Sequence, residues 1–151
     1  MKKKLAYLIA TCFVGKCPKA PGTCGSALAA FIAWLIPCPF VLTGLLIFSI
    51  FAGILAIKVV TKTLANKDPG YVVIDEVAGQ TLAYLIFFGF YKQLSILAIL
   101  GGFLLFRFFD ISKIWPASFF DRQHTPTSVM MDDLVAGTYA GLALGLIFYL
   151  F

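Results

Sequence analysis

The run from Phe40 to Ile57 carries no charged side chain and is long enough to cross a bilayer as a helix, which restricts this chain more than any other feature it has. Apolar runs recur at roughly Ile74 to Phe90, Leu94 to Phe109 and Leu134 to Phe151. An earlier one, Ala27 to Ile36, ends at the Pro37-Cys38-Pro39 break and reaches spanning length only by drawing on the Pro-Gly-Thr stretch before it. Repeated runs of this kind predict an all-α fold, a polytopic transmembrane helical bundle of about five spans, organised as a single domain over residues 1–151. Composition agrees, because 61% hydrophobic and 13% charged residues fall outside the soluble balance. Leu5 to Val14 follows three lysines as a signal peptide would, but it is short and no clean small-residue cleavage site follows. It is expected to stay on the mature protein as an interfacial or packed helix.

Charge sets the orientation, since loops rich in Lys and Arg stay cytoplasmic. Two crossings before Lys58, Lys62 and Lys67 return those residues to the side of Lys2, Lys3 and Lys4. Five crossings then leave eleven of the twelve basic residues on the cytoplasmic side, with Lys92 alone outside. The net charge of +5 is scattered between apolar spans and forms no long basic run, which argues for topology and against nucleic acid as a partner. Cys12, Cys17, Cys24 and Cys38 form neither a CxxC pair nor a zinc pattern with His124, the only histidine, and read as small apolar fillers.

All seven acidic residues lie on that same side, in two polar segments. Asp68, Asp75 and Glu76 make one, and Asp110, Asp121, Asp132 and Asp133 belong to the stretch from Arg107 to Asp133. Carboxylates near a membrane are costly unless water, a cation or a partner offsets them, so both patches point to a functional site. Asp75-Glu76-Val77-Ala78-Gly79 and Asp133-Leu134-Val135-Ala136-Gly137 share the pattern Asp-x-Val-Ala-Gly, which puts a carboxylate one helical turn before a glycine at the start of each span. If the two helices cross at Gly79 and Gly137, then Asp75, Glu76, Asp132 and Asp133 converge and need a divalent cation, for which oxygen-only ligands suit Mg²⁺ or Mn²⁺. The alternative is that these acids only favour helix N-termini through capping and the macrodipole. A cation carrier would place its acids deep within spans rather than at span ends, and a structural subunit gives no reason for acids and glycines to recur together.

Arg107, Asp110 and Lys113 recur every third residue, either as two cations that hold a phosphate beside a metal or as an ordinary helix-end salt bridge. Pro21 to Ser26 precedes an apolar helix. There Thr23 is either a plain cap or part of an anion cradle with Ser26 and free N–H groups. Asp121-Arg122 reads as a structural pair, Trp115, Phe119 and Phe120 as interfacial anchors, and Gly137, Gly141 and Gly145 as packing within the chain rather than a dimer seam. His124 is either incidental or a proton donor to a leaving alkoxide.

The stretches APGTCGS at Ala20 to Ser26, IDEVAGQ at Ile74 to Gln80, FRFFDISKIWPASFFDRQH at Phe106 to His124 and MDDLVAG at Met131 to Gly137 follow one another in an order that resembles the phosphatidylglycerophosphatase A family of bacterial membrane enzymes. The resemblance implies a Mg²⁺-dependent phosphatase of the cytoplasmic membrane, with its active site facing the cytoplasm. Its substrate would be the phospholipid phosphatidylglycerophosphate, which loses its terminal phosphate to leave phosphatidylglycerol. On that basis Asp75, Asp110 and Asp133 are the expected catalytic residues, and Asp75, Glu76, Asp132 and Asp133 the expected ligands of one or two Mg²⁺ ions. Thr23, Ser26, Arg107 and Lys113 would bind phosphate, and Asp110 would serve as a further ligand or base. The attacking group is either water or a carboxylate. Two departures stand out: the family's Lys-Pro-x-Pro is Lys113-Ile114-Trp115-Pro116 here, and a glycine-rich stretch after the histidine is replaced by Thr125-Pro126-Thr127-Ser128, which stiffens the chain there.

Overall fold

A computed structural model describes residues 1–62 and 70–150, so Lys67 and Asp68 lie outside the described residues. Among those residues all regular structure is helical: α1 (Lys3–Thr11), α2 (Pro21–Leu35), α3 (Pro39–Thr61), α4 (Ile74–Phe90), α5 (Ile96–Ser112), α6 (Ala117–Asp121) and α7 (Pro126–Leu150). By length and composition α3 and α7 are able to cross a membrane, rather than the five segments expected. The others are shortened by local signals: α2 has 15 residues, and α4 and α5 have 17 each.

Proline does much of the trimming. Pro21 and Pro39 open α2 and α3, where a missing N–H costs nothing and the fixed φ suits a first turn. Pro37 forces Ile36 out of the helical region, to φ −131°, and so ends α2. Helix α5 starts at Ile96, two residues later than the apolar run, because the Ser95 hydroxyl accepts the Ala98 N–H at 3.2 Å. It runs on to Ser112 and stops where Lys113 turns left-handed, at φ 46°.

The largest departure from expectation is α7, which begins at Pro126, eight residues before Leu134. The Thr125 hydroxyl accepts the Ser128 N–H at 3.1 Å, and the Ser128 hydroxyl accepts the Thr125 N–H at 2.8 Å, a reciprocal cap. The segment that lost its glycines is therefore the first turn of a helix. Asp132 and Asp133 sit well past the four N-terminal N–H groups that a capping acid would serve, which removes capping as their explanation.

Helix α4 is the central helix, with α2, α3, α5 and α7 packed around it. Gly79, Ala83 and Phe90 meet Gly137, Gly141 and Gly145 in that order, so α4 and α7 run in the same direction and the glycine face packs within the chain. Val73 meets Gly25 and Tyr84 meets Ala30 and Ala33, which makes α2 parallel to α4 as well. Helices α3 and α5 run the other way, since Ile74 meets Gly53 while Tyr84 packs with Leu42 and Ile99. The first turns of α2 and α4, the first third of α7 and the last turn of α5 thus share one end of the bundle. Helix α1 packs across that end rather than spanning: Ala6 and Ala10 are buried, and the Ala10 carbonyl accepts the Val73 N–H at 2.8 Å.

The outward faces of α3, α5 and α7 are apolar, with Phe40, Phe51, Leu97, Leu104 and Leu146 exposed, while Ser26, Ser49, Asp75, Gln80, Asp110, Asp132 and Asp133 are buried. Apolar surface outside and polar groups inside fit a lipid surround. Trp115 and Phe119 stand exposed beside the shared end, as interfacial anchors would.

Candidate active site

The shared end of the bundle gathers the carboxylates. Asp75, Glu76 and Asp133 each offer an oxygen, and the three oxygens lie within 4.8 Å of one another. Two contacts make this possible. A Cβ on Gly137 would stand 2.1 Å from the Gly79 carbonyl oxygen, and one on Gly79 would stand 2.4 Å from the Asp133 carbonyl oxygen, so α4 and α7 meet backbone to backbone one turn from their acids. On the other flank Gly22 lies against Glu76, where a Cβ would be 2.2 Å from Oε1 and 3.3 Å from the Arg107 Nη1. Glu76 therefore stands between α7 and the start of α2.

Around this trio lies a cationic frame. Asp110 holds Arg107 with Oδ2 at 2.6 Å and Lys113 with Oδ1 at 3.4 Å. Both expected cations are thus present, anchored through a buried carboxylate, and Asp110 is engaged at each oxygen. Lys113 also binds Asp132 through Oδ2 and lies 3.6 Å from Asp121. Asp132, expected among the metal ligands, is held on the Lys113 side and stands outside the trio. The reason is rotational, since Asp132 and Asp133 project about 100° apart around α7 and only Asp133 faces α4. Asp121, expected to pair with Arg122, has Lys113 as its ion-pair partner. Burial pulls the Lys113 ammonium down, but the charges of Asp133, Asp132 and Asp110 outweigh it and hold its pKa above the ordinary lysine value.

Of the α2 residues, Ser26 enters the site: its hydroxyl donates to the Gly22 carbonyl at 2.9 Å and accepts from the Arg107 Nη1 at 3.4 Å. Thr23 lies inside the first turn, and the N-cap is Ala20, which has no side chain to offer, so Thr23 is not the cap. His124 is exposed, with φ at 49°, and stands outside the carboxylate trio.

Six carboxyl groups, those of Asp75, Glu76, Asp110, Asp121, Asp132 and Asp133, meet two side-chain cations among the described residues, Arg107 and Lys113. Glu76 Oε2 and Asp132 Oδ1 are buried without a hydrogen-bond partner there. Excess buried negative charge and an oxygen-only donor set are what a divalent cation would balance. Sequence reasoning passed over Gly22, although it lies inside a motif that had been singled out, because spacing along one helix does not show what stands opposite.

A family model described as phosphatidylglycerophosphatase A matches residues 8–148. Phosphatidylglycerophosphatase A of Escherichia coli is 31% identical over 144 residues, covering 90% of this chain and 77% of that protein. Its counterpart in Haemophilus influenzae is 34% identical over 125 residues, covering 80% of this chain and 74% of that one. A Bacteroides thetaiotaomicron protein provisionally named a phosphatidylinositol-3-phosphatase is 33% identical over 144 residues, or 90% of this chain and 89% of its own. No solved structure matches.

Proposed function

Since the chain belongs to the phosphatidylglycerophosphatase A family and is a phosphoric monoester hydrolase, we propose that it removes the terminal phosphate of phosphatidylglycerophosphate, using Mg²⁺ held by Asp75, Glu76 and Asp133. The convergence of those three carboxylates at one end of the bundle carries the reading.

Bound there, Mg²⁺ would draw negative charge from the phosphoryl oxygens as the ester bond breaks. Arg107 and Lys113 add fixed positive charge on the opposite flank, with Asp110 as the anchor that sets both rather than as a base. The Ser26 hydroxyl, already in contact with Arg107, orients a phosphate oxygen at the first turn of α2. Water attacks phosphorus, the bond to the glycerol oxygen breaks, and that oxygen takes up a proton, giving the alcohol and inorganic phosphate.

The protein is proposed to cross the membrane five times with this end at the cytoplasmic headgroup level. Helices α4 and α5 would reach about 26 Å and α2 about 22 Å at 1.5 Å per residue, short of the hydrocarbon core but extended by flanking turns. Lys3, Lys4, Lys58 and Arg107 all belong to that end, as the positive-inside rule requires.

The deciding assay is phosphate release from detergent-dispersed phosphatidylglycerophosphate, with and without Mg²⁺, by the wild type and by Asp75→Asn. Mg²⁺-dependent turnover lost in the variant supports the reading; a fully active variant, or an inert wild type, ends it. The Bacteroides relative makes phosphatidylinositol 3-phosphate the first competitor for a substrate panel.

A further inference from the structure

We propose that Gln80 is a positioning residue, whose amide ties the carboxylate of Glu76 to the guanidinium of Arg107 when the site is charged; this rests on the phosphatase reading above. Gln80 is fully buried, yet both its Nε2 and Oε1 lack a hydrogen-bond partner among the described residues. Two other buried orphans lie in the same seam, Glu76 Oε2 and Arg107 Nε.

The seam follows from the neighbours of Gln80 on α4. One turn before it, Glu76 faces Gly22 of α2 next to Arg107 of α5. One turn after it, Tyr84 packs with Ala30 and Ala33 of α2 and donates its hydroxyl to the Ile99 carbonyl of α5 at 2.8 Å. Gln80 thus faces the groove between α2 and α5, and helical side chains lean toward the N-terminus, which brings its amide toward Glu76. The four orphans are complementary: the Gln80 NH₂ donates where Glu76 Oε2 accepts, and the Arg107 Nε–H donates where Gln80 Oε1 accepts. Ser49 and Asp132 hold the remaining orphan atoms, on α3 and on the Lys113 side of α7.

A buried amide without partners weakens a fold, and an apolar residue of equal length would pack there at no such cost. Retaining glutamine makes sense if its bonds close in the loaded site. Closed, they hold Glu76 for the cation and Arg107 for the phosphate, so that the two halves of the site take up their geometry together.

Gln80→Met tests this in the full-length protein in detergent. The variant is expected to melt no lower than wild type without Mg²⁺, and to lose the rise in melting temperature that Mg²⁺ alone gives the wild type. Its kcat should fall by about 10–100-fold, with KM for the lipid little changed. Wild-type turnover and an intact Mg²⁺ response in the variant would overturn the inference. So would a variant that melts lower without Mg²⁺ or fails to fold, since the amide would then be partnered in the resting protein. A wild type without lipid phosphatase activity would fail the reading above instead, and the Mg²⁺ melting shift would then decide the role of the amide by itself.

Discussion

Gly137 rests on the carbonyl oxygen of Gly79, so closely that a Cβ on Gly137 would stand 2.1 Å from it. No side chain fits between them, and the atoms it would meet are backbone, which cannot rotate away. One helical turn toward the shared end, the same contact brings Asp133 of α7 to Asp75 and Glu76 of α4.

Gly137→Ala is therefore expected to act on catalysis through geometry. Pushing α7 off α4 separates the carboxylates, and a displacement of this size costs about 10²-fold in kcat, with a stability loss of about 1–3 kcal/mol from overpacking. Turnover and thermal melting measure both. Gly44→Ala, inside α3 at a site with nothing within 4 Å of the added Cβ, is the control and should leave turnover unchanged and melting level or slightly higher, because alanine favours a helix over glycine.

Neutralising one of the trio should separate function from stability. Glu76→Gln and Asp133→Asn each remove a like charge from a crowded cluster, so melting without Mg²⁺ should stay level or rise. Their kcat should fall by about 10²–10³-fold. A drop in melting temperature with full activity would show that the acids serve the fold instead.

Chelation should reproduce that loss reversibly. Activity is expected to vanish in EDTA and to return with Mg²⁺ added back, and the wild type should melt at a higher temperature with Mg²⁺ than without it. Turnover that persists in EDTA would refute the metal assignment.

Lys113 holds Asp110, Asp121 and Asp132 together, so Lys113→Met leaves buried carboxylates uncompensated and should cost about 3 kcal/mol. The sign with pH follows from its raised pKa. The folded protein keeps a proton that the unfolded chain releases, so the contribution is full below the ordinary lysine value of 10.5 and is lost only as pH rises through the higher folded value. The melting difference between wild type and variant should hold steady up to about pH 10.5 and shrink above it.

Burial first, and then the charges of Asp75 and Glu76, push the Cys12 thiol up to about 12. A hydrogen bond from Cys24 lowers that of Cys17. Maleimide labelling at pH 8, followed by mass spectrometry, should modify Cys17 well before Cys12, because the thiolate is the reacting form.

Much of the fold could be read from the chain because the signals are local. Apolar runs, Pro21, Pro37 and Pro39, and the twin Asp-x-Val-Ala-Gly motifs each act within a few residues, and the motifs raised the crossing at Gly79 and Gly137 as a condition that the structure meets. The start of α7 did not, since polar Thr125 to Asp133 resembles a loop until Ser128 and Thr125 cap each other and the surrounding helices bury Met130 and Asp133.

Sequence by itself determined that this is a bundle of apolar helices with acids and cations drawn to one end, because residue type and helical period are properties of the chain alone. Only the tertiary structure decided that Asp132 and Asp121 serve Lys113, that the trio is Asp75, Glu76 and Asp133 without Asp132, and that Gly22 lies against Glu76. Period says which way a side chain points from its own helix, and the partner waiting there depends on how closely neighbouring backbones pack.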